Sequence, residues 1–89
     1  MKNNKKSVYI SIYKSNLNTY HEYVNKLNFI YSSYKYYKSI SYQDKTFESI
    51  VERHKERLDY YKLKLKQVVE ILRLYKYKIR DADRNENKL

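Results

Sequence analysis

The chain has 89 residues, twenty Lys and Arg against ten Asp and Glu for a formal charge of +10, and no Cys, Gly or Pro. That length fits one domain with a thin core. The missing Cys removes disulfides, thiolate metal sites and a Cys nucleophile, and the missing Gly and Pro remove the tight hairpins and phosphate-cradling loops built on them.

A many-stranded β fold is therefore not expected, and the charge favours a polyanionic partner: nucleic acid, an anionic membrane or an acidic protein face. Abundant Lys, Asn and Ile beside a single Ala, Ala82, mark an AT-rich coding sequence. Such a composition suits a viral or mobile-element accessory protein. It does not account for thirteen Tyr against two Phe, since the two share AT-rich codons; a ring with a hydroxyl suits surfaces that are half wet and half apolar.

In chain order, the basic start from Met1 to Lys6 leads only into the short stretch Val8 to Tyr13, and no apolar run approaches the length of a membrane span. A soluble, intracellular (cytoplasmic) protein is expected. Val8, Ile10 and Ile12 alternate with Tyr9, Ser11 and Tyr13, a pattern that suits a short strand as well as a helix.

From there Ile10, Tyr13, Leu17, Tyr20, Val24, Leu27, Tyr31 and Tyr34 follow at alternating spacings of three and four, a heptad seam. Ile12, Tyr23, Ile30 and Tyr37 lie along one flank of it. Ser39 to Thr46 holds the one plausible break, with Ser41, Asp44 and Thr46 as candidate N-caps. Beyond it Phe47, Val51, His54, Leu58, Tyr61, Leu65, Val68, Leu72, Tyr75 and Ile79 form a second seam.

The expected fold is all-α: an antiparallel helical hairpin in a single domain, 1–89, with helices over 8–38 and 46–82, a connection at 39–45 and a frayed polar tail over 83–89. Residues whose numbers add to roughly 85 should then face each other. The second helix also carries Tyr60, Leu63, Ile71, Leu74 and Tyr77 opposite its seam, and one partner helix cannot cover both faces. A homo-oligomer follows, of which a four-helix bundle-like homodimer is the economical form, or another protein covers that row.

Two functions are expected from these surfaces. Lys55, Lys62, Lys66, Arg73, Lys76, Arg80 and Arg84 fall in a sector roughly 80° wide beside the second seam. A regulatory or accessory factor could hold nucleic-acid phosphates there, although flanking coiled-coil lysines look the same. The alternative is an adaptor or inhibitor that docks Tyr60, Leu63, Ile71, Leu74 and Tyr77 onto another protein. No Gly-rich phosphate loop, nucleophile elbow or metal-ligand spacing is present, so no enzyme, cofactor or metal is expected, and His54 reads as a core histidine with a hydrogen-bond partner.

Overall fold

A chain with no Gly or Pro has nothing to stop a helix except local polar side chains, and the computed structural model, which describes residues 4–87, follows that logic. Helix α1 covers Asn4–Ser41 and helix α2 covers Glu48–Asn87, entered through a 3₁₀ turn at Lys45–Phe47. The fold is an all-α helical hairpin, with no strand among the described residues. Val8 to Tyr13 belongs to α1, because nothing beside it offers a strand to pair with.

Helix α1 outruns its expected bounds at both ends, and α2 runs past its expected end but begins at Glu48, behind the 3₁₀ turn, two residues later than expected. Ser39 and Ser41, expected within the break, stay helical by donating their hydroxyls to the carbonyls of Tyr36 and Lys38 at 2.8 and 2.7 Å. The tail likewise remains helical through Asn87, with Lys88 and Leu89 lying outside the described residues.

The turn is made without a left-handed residue: no described residue has positive φ. The Ile40 carbonyl accepts from the amides of both Gln43 and Asp44, at 2.9 and 3.0 Å, which closes α1. Asp44 then extends (φ −140°, ψ 110°), and its Oδ1 accepts from the Thr46 amide and hydroxyl at 3.0 and 2.8 Å. Of the three candidate caps, Asp44 is the one that acts. Those two donors, the amide first, hold its carboxyl below the usual aspartate range.

The helices pack as two compact units, Glu22–Leu65 around the turn and Met1–His21 with Lys66–Leu89 toward the chain ends, here called the turn unit and the terminal unit. In the turn unit, Ile30 is 2% exposed and Leu58 is also buried; in the terminal unit, Val68 is buried. Each removes an aliphatic side chain from water, worth about 1.5–3 kcal/mol. The remaining apolar seam residues are covered only in part.

All ten residues of the second seam, Phe47 in the turn and nine on α2, are buried or partly buried, so that periodicity is realised in the fold. On α1 seven of the eight expected seam residues are likewise partly buried, and one position needs correction. Tyr31, expected in the seam, is 50% exposed, whereas Ile30, expected on the flank, is the best-buried residue described. Ile30 lies in the row Tyr9, Asn16, Tyr23, Ile30 and Tyr37, which is at least partly buried beside Ile10, Leu17 and Val24, so the inward face of α1 takes in both rows with Tyr13, Tyr20, Leu27 and Tyr34 between them.

The aromatic residues of the second seam draw in the first of these rows. Tyr9 meets Tyr75 edge-on at 5.9 Å, Tyr23 meets Tyr61 at 5.8 Å, and Tyr37 lies 6.0 Å from Phe47 and 5.4 Å from His54. Such tilted ring pairs add about 0.5–1.5 kcal/mol beyond the area they bury. The residue numbers of these pairs add close to the expected value, as an antiparallel hairpin with a short turn requires.

Candidate functional site

Helix α2 presents every cation of the expected stripe to solvent. Lys55 and Lys62 are exposed in the turn unit; Lys66, Arg73, Lys76, Arg80 and Arg84 are exposed in the terminal unit. Lys66, Arg73 and Arg80 recur at seven-residue intervals, about two helical turns or 10 Å each, so the terminal unit carries a straight row closed by Arg84.

Like Lys5, Lys14, Lys45, Arg53 and Arg57, these cations differ from the ring-held lysines in having no internal partner among the described residues: none of the seven makes an ion pair or lies over an aromatic ring. Among the described residues Glu52, Glu56 and Glu70 likewise form no ion pair. The one ion pair given by the described residues joins Lys6 and Asp83 across the two helices of the terminal unit.

Other lysines sit on tyrosines. In the turn unit, Lys26 lies 5.4 Å from the Tyr61 ring, Lys35 4.9 Å from Tyr31, Lys38 5.5 Å from Tyr34 and Lys64 5.5 Å from Tyr60. In the terminal unit, Lys78 lies 5.3 Å from Tyr9 and 5.6 Å from Tyr75. Each interaction of this kind contributes about 0.5–1 kcal/mol at an exposed site. The segments Tyr34 to Lys38 and Tyr75 to Lys78, where basic and aromatic residues interleave, thus use Lys38 and Lys78 within the fold. Tyr9 and Tyr37, which lie outside the expected seam, are partly buried in it.

Charge is divided unequally. The terminal unit holds eleven basic and four acidic side chains, a net +7, and the turn unit holds nine and six, a net +3. Clustered positive charge on one surface raises the local concentration of anions and speeds their capture.

The row opposite the α2 seam is also uncovered. Tyr60 and Leu63 in the turn unit, and Ile71, Leu74 and Tyr77 in the terminal unit, are all exposed. On α1, Phe29 is 74% exposed and borders an open hollow with Asn25, Lys26, Ile30, Arg57 and Tyr61. A surface this shallow can seat a side chain but does not enclose a substrate.

His54 is partly buried on the seam, with Nδ1 2.8 Å from the Ile50 carbonyl. A carbonyl can only accept, so Nδ1 carries the proton and donates. This is the core histidine that its seam position implies. Among the described residues no group of three His, Asp or Glu side chains could hold a metal ion, and no helix is long and apolar enough to cross a membrane. No family model, characterised protein or solved structure matches the chain.

Proposed function

We propose that the chain is a non-enzymatic binding protein that grips the phosphate backbone of a nucleic acid with the α2 cations of the terminal unit. The observation that carries this reading is the contrast among its basic residues. Five lysines lie on tyrosine rings, whereas Lys66, Arg73, Lys76, Arg80 and Arg84 follow one face of α2 in the more highly charged unit, exposed and with no ion pair or ring partner among the described residues. A cation kept for an external phosphate must be unpaired in the free protein, because an internal ion pair would have to break first. Backbone interactions of this kind give affinity with little base readout.

Charge reversal of Lys66, Arg73 and Arg80 together tests it by fluorescence anisotropy over a salt series. For every phosphate that the variant no longer neutralises, the slope of log affinity against log salt should fall by about one. The triple variant is therefore expected to show a slope smaller by about two to three while its helical circular dichroism is retained. An unchanged slope rejects the proposal.

The uncovered row supports a second reading, in which another helix packs on Ile71 and Leu74. A second copy of the chain would make a four-helix assembly, and a different protein would make the chain an adaptor or inhibitor. Replacing both residues with Gln should turn a sedimenting dimer into a folded monomer if a second copy covers them. A wild-type chain that sediments as a monomer removes the self-assembly form of this reading.

A further inference from the structure

Resting on the phosphate-binding proposal, we infer that the nucleic acid is single-stranded and that Tyr77 is the platform on which one of its bases stacks. Tyr77 is 67% exposed, and it is the one tyrosine of α2 with no ring or lysine partner among the described residues. Tyr60, Tyr61 and Tyr75 all have such partners. A large, rigid, wet ring left bare in the most cationic part of the molecule offers a stacking face to a partner with a π-face, and every base has one.

The neighbours of Tyr77 sort by charge across the helix surface. Arg73 precedes it by four residues and Arg80 follows by three, the spacings that make side chains neighbours, and Arg84 lies two turns on. Asp81, four residues after Tyr77, stands about 40° to the other side of it, with Glu70 in the same sector. Across α2 the order is arginine row, bare ring, carboxylates. Asp81 and Glu70 are exposed and make no ion pair among the described residues.

That order matches the cross-section of a single strand. Phosphates favour the arginine row and are repelled by the carboxylates, which turns the bases toward Tyr77. Beyond the ring, the carboxylates can accept from exocyclic amines on base edges. Between Arg73 and Arg84 the row spans roughly 16 Å of helix axis, enough for several phosphates of one strand. A duplex would meet the same arginines but has its bases already stacked inside, so Tyr77 would contribute nothing to its binding.

The test compares three fluorescent ligands of about 20 nucleotides: a mixed-sequence DNA strand, its duplex, and an abasic strand with the same number of phosphates. Tyr77→Ala should weaken binding of the strand about tenfold or more, leave the duplex and abasic ligands within twofold, and leave the salt slope unchanged. Tyr77→Phe should restore strand binding, because the ring stacks without its hydroxyl. Equal losses on all three ligands, or no loss on the strand, overturn the platform while leaving phosphate binding intact. A wild-type chain that binds none of the three at low salt overturns both.

Discussion

The turn unit and the terminal unit are built from the same two helices but use their basic residues differently. Around the turn, Lys26, Lys35, Lys38 and Lys64 lie on tyrosine rings, and acidic side chains bring the net charge down to +3. Toward the chain ends Lys78 alone among the described residues is held by rings; the exposed α2 cations are not, and the net charge is +7. A lysine over a tyrosine contributes to the fold and is less available to a ligand, while an unpaired one contributes repulsion within the chain and attraction to an outside anion. A count of basic residues therefore overstates the binding surface; the partners of each cation, taken with the net charge around it, narrow it.

The comparison is most strongly tested in the core. Ile30→Ala should destabilise the turn unit by about 2–5 kcal/mol. Val68→Ala, which removes fewer carbons from the terminal unit, should cost about 1.5 kcal/mol at the per-methylene value. Urea denaturation followed by circular dichroism measures both, and equal costs would mean that the two cores are alike. A smaller effect is expected from Lys35→Gln with Lys38→Gln: about 0.5–1 kcal/mol of stability for each lysine taken off its ring. The double variant should keep its affinity for single-stranded DNA within about threefold, far less change than reversal in the arginine row produces; a drop as large would show that ring-held lysines also serve the ligand.

The smallest effect belongs to the turn. Since hydrogen bonds from Thr46 lower the Asp44 titration in the folded chain, the stabilisation they give is complete above the ordinary aspartate range and disappears as pH falls through the lowered value. Asp44→Ala should therefore reduce the Tm by a few degrees at neutral pH and by progressively less in acid. A pH-independent difference would assign the effect to backbone preference and not to the carboxylate.

Much of this architecture is legible in the residues, and the exceptions have physical causes. The seam of α2 stands out because Val51, Leu58, Leu65, Val68 and Leu72 are aliphatic and recur at helical spacing in a helix rich in charged residues. On α1 two adjacent rows are almost equally apolar, since a tyrosine counts for either face. Both turn inward, and the Tyr9 row is drawn in by ring pairs such as Tyr23 with Tyr61, which no single-helix periodicity contains. The expected end of α1 falls short because serine looks like a terminator, whereas Ser39 and Ser41 bond back into the helix.

The cationic stripe is visible because Lys and Arg recur at helical spacing on α2. Which cations already have partners is not. Lys26 reaches Tyr61, and Lys78 reaches Tyr9, across the hairpin, so those interactions exist only after the helices have docked. In the sequence Tyr77 is one member of an apolar row; its unpaired ring becomes apparent only once its fellow tyrosines have found their neighbours.

Heptad seams tell two helices how to face each other but not where along their length to stop, because a slide of seven residues returns every side chain to an equivalent position. Within the terminal unit two features break that degeneracy. Asn16 sits on the inward face and bonds to its own helix at the Ile12 carbonyl, 2.8 Å away, so only a neighbour that tolerates a polar group suits it. The Lys6 to Asp83 pair adds a second mark, which a slipped alignment would separate. Such marks add little to stability, yet they give the docked helices a single reading frame.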